Sequence, residues 1–422
     1  MAQQQLTFTE VSALEILDSR GNPTLQVTVT TGDGGRYRAG VPSGASTGTR
    51  EAVELRDGDP ERYGGKGVTK AAAAVDGEIA DALRGQRWTS LPDVDAALID
   101  LDGTATKSRL GANALVGVSM AVARAFAGNG PLWQSLQPEG VLPRLPVPHF
   151  NVLNGGVHAP NDLDFQEFMI APVGAPSLPE ALRAGAAVYA RLRALLAARG
   201  DATGLGDEGG FAPNIALPED VLRLIVQAIT EAGYEPGRDG VAIALDPASS
   251  EFSRDGSYHV AGEALSSDDM IARYEQMVTD FPVWSLEDGL AEGDWDGWAK
   301  LTTRLGDRVQ LVGDDIFVTN PAIITAAVER RIGNSCLIKL NQIGTVTETL
   351  EAQRLCRDAG YTQMISHRSG ETPDPFIADL AVATGTGQIK AGAPARGERV
   401  AKYNRLLEIS AAAPDLPFGL AD

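Results

Sequence analysis

Two cysteines in 422 residues, Cys336 and Cys356, leave no disulfide framework and no metal-like spacing. One sits in an apolar run and the other in a helical pattern, which suits two core thiols in a reducing cytosol. No basic patch relieves a formal net charge of -20. Such a field repels phosphodiester backbones and anionic membrane surfaces, so no direct nucleic-acid binding is expected. An anionic substrate is repelled at long range too, so any anion site needs its own local cations. No run reaches membrane-spanning length, and the opening MAQQQLTFTEVSALEILDSRG lacks a basic start followed by an apolar stretch. The expectation is a soluble, unprocessed, cytoplasmic protein. GGKGVTK, at 64 to 70, lacks the GxxxxGK[ST] spacing and reads as a turn before a helix.

What is present is a chain long and apolar enough, at 43% hydrophobic residues, for several domains or a barrel with an addition. LTFTEVSALEIL, PTLQVTVTT and RYRAGV read as three strands of a small antiparallel sheet, with GDGG supplying hairpin-turn chemistry. Helical patterns follow in TKAAAAVDGEIADALRG and GANALVGVSMAVARAFAGNG. The proline-rich QPEGVLPRLPVPHF breaks both periodicities. It divides an N-terminal α+β domain, 1–140, from a C-terminal α/β domain, 141–422.

Beyond it VAIALD, VWSLED, VQLVGDD, CLIKLNQ, TQMISHR and GQIKAG alternate with helical segments, preceded by QEFMIAPV. That succession argues for an α/β barrel around a parallel sheet. A doubly wound open sheet is the alternative, and no GxGxxG follows a strand to support it. Each apolar run stops at an ionisable residue: Asp246, Glu287, Asp314, Lys339, His367 and Lys390. In a barrel these project from the C-terminal rim, where barrel enzymes keep their active sites.

If Asp246, Glu287 and Asp314 converge to about 5 Å, each pair repels by roughly 3 kcal/mol at an effective dielectric of about 20. A divalent cation removes that cost, and all-carboxylate ligation suits Mg²⁺ or Mn²⁺ and argues against zinc. Within LVGDD, Asp314 is expected as the ligand, with Asp315 pointing oppositely as a brace. Lys339 ends an apolar run, where burial and nearby positive charge lower an amine's pKa and make it a usable base. Lys390 is expected to stay charged and meet a substrate carboxylate. The alternative for either lysine is a structural ion pair with a metal-site carboxylate. SHRSGE, at 366 to 371, pairs an arginine with serine in a form suited to phosphate. His149 and His259 read as structural or surface residues, and Trp284, Trp295 and Trp298 as packing.

LDSRGNPT, VPSGASTG, NGGVHA, DFQEFMI, GDEGGFAP, SLEDGL, LVGDD, IKLNQIG, ISHRSGET and IKAGAPARGERVAKYN follow one another between about residue 10 and residue 409. In that order they resemble the signature segments of the enolase family, the glycolytic dehydratases of 2-phosphoglycerate. The resemblance implies an enolase-type α/β (TIM-like) barrel, irregular in its first turns, preceded by a small α+β N-terminal domain. It implies Lys339 as the base at C2, Glu208 as the acid at the C3 hydroxyl, and Glu167 as the partner that keeps Glu208 protonated. Asp246, Glu287 and Asp314 match the ligands of a tightly bound Mg²⁺. Ser46, on the flexible loop PSGASTG, matches the ligand of a second Mg²⁺ that arrives with substrate. Arg368 and Ser369 match phosphate contacts, Lys390 a carboxylate contact, and Gln166, His158 and His367 the rest of the substrate shell. The resemblance also implies a homodimer or an assembly of dimers.

Pro247 after the metal aspartate, PDPF after SHRSGET and Gly397 in APARGER depart from the family's usual residues without removing a proposed catalytic group. Two other readings are weighed beside it. A related barrel enzyme could act on an unphosphorylated acid, against which the phosphate-directed Ser46, Arg368 and Ser369 count. Enolases also serve as surface receptors for plasminogen or in RNA-processing assemblies, with a secondary cell-surface or secreted pool. Asp422 in place of a terminal lysine removes one handle for that role.

Overall fold

The computed structural model describes residues 5–45 and 47–420. Strands β1 (Phe8–Leu17), β2 (Pro23–Thr31) and β3 (Arg36–Gly40) form an antiparallel meander in sequence order. The β2–β3 turn closes through Gly34, whose φ of +86° falls in the region that favours glycine. Leu25, Val27 and Val29 alternate along β2 and bury one face against the helix Ala112–Ala127. That helix is apolar nearly all round and buried nearly all round. A Cβ on its Gly117 would lie 2.6 Å from a Val27 methyl, so only glycine lets helix and sheet approach this closely.

The second unit is a closed barrel. Its strands begin with β4 (Val147–Asn154), β5 (Glu167–Ala171) and β6 (Ala242–Asp246). A small side sheet, β7 (Ser253–Arg254), β8 (Ser257–Val260) and β9 (Glu263–Leu265), follows outside the barrel. Then come β10 (Val283–Glu287), β11 (Gln310–Gly313), β12 (Ser335–Ile338), β13 (Thr362–Ser366) and β14 (Gln388–Lys390). Around the barrel the order is β10, β11, β12, β13, β14, β4, β5, β6. All neighbours are parallel except β5, which runs antiparallel to both β4 and β6. The chain turns back from β4 into β5 without a crossover helix, and two helices, Leu178–Arg199 and Pro218–Glu231, then precede β6. This is the irregularity in the first turns that the resemblance implied.

From β6 onward the helices Ser267–Asp280, Trp295–Leu305, Pro321–Glu329, Val346–Asp358, Phe376–Ala383 and Gly397–Ala412 fall where the helical patterns place them. Side-chain caps start several of them: Ser266 with Asp269 as a reciprocal box, Asp294, Asn320 and Thr345. Inside the barrel, Val147, Met169, Ala242, Ala244 and Trp284 fill one apolar layer. A second layer is polar yet satisfied: Gln310 and Gln388 exchange amide hydrogen bonds of 2.9 and 2.8 Å, and Ser285 and Thr362 join Gln310. A packed interior of this kind leaves one rim for chemistry.

β4 is missing from the strands read from the sequence. Pro148 and the polar His149, Asn151 and Asn154 hide it, although every residue of the strand is buried.

Candidate active site

The charged strand ends meet at one rim. Asp246, Glu287 and Lys390 are the last residues of β6, β10 and β14, and Lys339 and His367 directly follow β12 and β13. Glu167 opens β5 and reaches the same rim because β5 runs the opposite way. His158, Gln166, Glu167, Glu208, Asp246, Lys339, His367, Arg368, Ser369 and Lys390 line a single cavity. Glu287 and Asp314 are buried behind the two lysines they contact. Ser46 lies outside the described residues.

Lys390 Nζ donates to Asp246 Oδ2 and Glu287 Oε1 at 2.8 Å each, and lies 3.2 Å from Glu167 Oε1. Burial alone would lower its pKa, but Asp246, Glu167 and Glu287 together raise it well above the ordinary lysine value. Lys339 Nζ is ion-paired to Asp314 Oδ2. Burial opposes its charge here too, and Asp314 outweighs the burial, so the amine is raised rather than lowered. The lowered pKa expected for Lys339 is therefore absent from this arrangement. Both lysines make the carboxylate ion pairs weighed as their structural alternative.

Asp314 is held on its other side by Gln342 Nε2, 2.8 Å from Oδ1. β11 has already ended at Gly313, so strand alternation does not separate Asp314 from Asp315. Instead the backbone amides of both donate to Asp288, at 2.9 Å to Oδ1 and Oδ2 respectively. Asp288, itself at a φ of +40°, fixes the turn that aims Asp314 at Lys339.

The acid side of the cavity centres on Glu208. Asn151 Nδ2 donates to its Oε2 at 3.0 Å, and His367 Nε2 lies 3.1 Å from the same oxygen. Arg399 Nη1 is 2.6 Å from His367 Nδ1. A guanidinium only donates, so Nδ1 accepts and the imidazole proton sits on Nε2, facing Glu208. Burial lowers the His367 pKa to about 4, keeping the ring neutral. Burial raises the Glu208 pKa, but His367, His158 and Arg399 overcome this and leave it well below the usual value. Glu167 is pushed well above its usual value, first by burial and then by Glu208. These two directions run opposite to the expectation that Glu208 holds the proton of the pair. His158 stands between the two, Nδ1 3.8 Å from Glu167 and Nε2 3.9 Å from Glu208.

On the phosphate-directed side, Arg368 meets Glu51 through two contacts, 3.0 and 3.1 Å, and Asn341 Oδ1 at 2.9 Å. Ser369 Oγ, Gln166 Oε1, Glu167 Oε2 and Glu287 Oε2 are buried without a hydrogen-bond partner among the described residues. Buried polar atoms are rarely left so, and oxygens without donors beside an oxygen-only acidic set fit a hard cation. Among the described residues two groups of potential ligands have their ligand atoms within 4.8 Å of one another inside each group: His158, Glu167 and Glu208, and Asp288, Asp314 and Asp315. The expected set of Asp246, Glu287 and Asp314 is not among these groups. The Lys390 ammonium is bound to two of those carboxylates and Lys339 to the third.

Comparison with known proteins bears on both units of the chain. Residues 8–136 match the family model for the enolase N-terminal domain, and residues 143–415 that for the enolase C-terminal TIM barrel domain. The chain belongs to the enolase family. It is thereby a carbon–oxygen lyase of the phosphopyruvate hydratase kind. The enolase of Acidothermus cellulolyticus is 59% identical over 402 residues, covering 94% of this chain and 93% of that one. The enolase of Rubrobacter xylanophilus is 56% identical over 409 residues, 95% of each chain.

Several residues of the site have no assigned role in the sequence reading. Asp288, Asn341, Gln342 and Arg399 lie inside quoted motifs, SLEDGL, IKLNQIG and APARGERVAKYN, so neighbourhood was their only signal. Glu51 and Asn151 lie in no such motif and gave none.

Proposed function

We propose that this chain catalyses the reversible dehydration of 2-phospho-D-glycerate to phosphoenolpyruvate in glycolysis and gluconeogenesis, dependent on Mg²⁺. The observation that supports this best is one cavity shared by Lys339, Glu208, Arg368, Glu167 and Asp246. A base, an acid and an anion anchor in one place are what an elimination beside a carboxylate requires.

Lys339 takes the C2 proton and Glu208 returns one to the departing C3 hydroxyl. For Lys339 to accept a proton it must first give one up, and its ion pair with Asp314 must weaken. Asp246, Glu287 and Asp314 would hold one Mg²⁺ and Ser46 would contribute to a second that arrives with substrate. Bound there, the cations would stabilise the negative charge that builds on the substrate carboxylate, and a lysine or histidine base beside one or two Mg²⁺ is the general pattern of the superfamily. Arg368 and Ser369 bind phosphate, Lys390 the carboxylate, and Gln166 and His367 complete the shell. His158 lies between Glu167 and Glu208, at distances that admit a bridging water, and so could carry the proton from the first to the second. The 1–140 and 141–422 units act together, as a homodimer or assembly of dimers in the cytoplasm.

Phosphoenolpyruvate formation followed by ultraviolet absorbance, with Mg²⁺, with chelator and with unphosphorylated hydroxy acids, tests this. Turnover of the phosphorylated acid alone, abolished by chelator, is expected. Turnover of an unphosphorylated acid instead would move the chain to a related barrel chemistry.

A further inference from the structure

Glu51 belongs to the N-terminal domain, yet its carboxylate is a junction within the barrel's site. Oε1 accepts from Arg368 Nη2 at 3.1 Å, from Gln342 Nε2 at 3.2 Å and from the Gly48 amide at 3.1 Å. Oε2 accepts from Arg368 Nη1 at 3.0 Å. Gln342 Nε2 passes the connection on to Asp314, and Asp314 to Lys339. Gln342 Oε1 also accepts from Thr319 Oγ1 at 2.8 Å, and Thr319 Oγ1 in turn accepts the Lys339 amide at 2.9 Å. One carboxylate thus links the segment ending at Gly48, the arginine read as a phosphate anchor, and the lysine read as the base.

The backbone around Glu51 is pinned to the barrel. Arg50 donates to Ile316 O at 2.8 Å and lies over the Trp295 ring, the Thr49 amide faces Glu292, and the Ala52 amide donates to Gln342 O at 2.8 Å. The side chains of Arg368 and Glu51 are only 3% and 9% exposed. A two-point carboxylate contact sets the plane of a guanidinium as well as its position, and here solvent competes little for either partner.

We infer that Glu51 is a positioning residue for the reaction: it aims Arg368 at the substrate phosphate and ties that aim to the Asp314–Lys339 pair. The inference rests on the reading of Arg368 as a phosphate contact. A plain domain-docking ion pair would make the same contacts, but its loss would reduce the folded fraction rather than substrate affinity.

The test is steady-state turnover of 2-phosphoglycerate at saturating Mg²⁺ by wild type, Glu51→Gln, Glu51→Ala, Arg368→Lys and the Glu51→Ala/Arg368→Lys double variant, each checked for folding by thermal melting. Glu51→Gln should raise KM about tenfold, the loss expected of one charge-assisted hydrogen bond, with a smaller change in kcat. Glu51→Ala should raise KM further. Because Glu51 acts through Arg368, the double variant should be little worse than Arg368→Lys alone. Unchanged KM in folded Glu51→Gln, or losses that simply multiply in the double variant, would overturn the inference. If Glu51→Ala does not fold, the shape-preserving Glu51→Gln decides. A wild-type KM in Arg368→Lys would instead overturn the phosphate reading itself, and Glu51's role with it.

Discussion

Glu167 and Asp246 stand opposite each other in register across two antiparallel strands, one opening β5 and the other closing β6. Reversing a single strand brings a strand's first residue to a rim otherwise made of last residues. The carboxylate it delivers sits 3.2 Å from Lys390 and beside Glu208 through His158. The irregular start of the barrel is thus what supplies the acid side of the site.

Lys339→Ala and Glu208→Gln should each reduce kcat by roughly 10²- to 10⁴-fold, the range for general acid and base groups. Circular dichroism should stay near wild type in both, while Lys339→Ala, which strands the buried Asp314 carboxylate, should also lower the melting temperature of chelator-treated protein. Retained turnover in either variant would remove that residue from its role.

Lys390 is ion-paired to both Asp246 and Glu287. Lys390→Met should therefore destabilise chelator-treated protein by about 3 to 5 kcal/mol, the cost of stranding buried charge. Mg²⁺ should restore much of that loss, so the melting temperature should rise more with Mg²⁺ in the variant than in wild type. Equal Mg²⁺ shifts in the two proteins would mean that Lys390 and the cation do not share these carboxylates.

The sequence marks the site better than it marks the electrostatics. Asp246, Glu287 and Lys390 are legible because one apolar run after another closes on a charge, and a barrel sets those ends at one rim. The helices from Ser267 to Ala412 are legible from their periodicity, and the first four also from local side-chain caps. β4 was not, since Pro148 and its buried polar residues imitate a loop. The protonation of Glu208 and Lys339 could not be read either. It depends on Arg399 fixing the His367 tautomer and on Asp314 reaching Lys339, contacts made by residues far apart in the chain.

Away from the site, Asp95 joins the N-terminal domain to the barrel. It is on the helix Leu91–Asp102, and its Oδ2 accepts from the Thr347 amide at 3.0 Å and the Thr347 hydroxyl at 2.6 Å. Burial raises its pKa to about 6, and the hydrogen bonds from Thr347 and Ser119 only partly offset this. An acid with a folded pKa above its unfolded value of about 3.9 favours the fold when protonated. Its ionisation costs up to about 3 kcal/mol above pH 6, and that cost disappears as the pH falls from about 6 toward 4. Asp95→Asn cannot ionise and can still accept both hydrogen bonds. Relative to the variant, wild type should therefore be less stable at pH 7.5 and should regain about 2 kcal/mol by pH 4.5, read from urea unfolding of the two proteins side by side. Parallel pH dependences would show that Asp95 is ionised in the fold at no cost, with Thr347 and Ser119 fully compensating its burial.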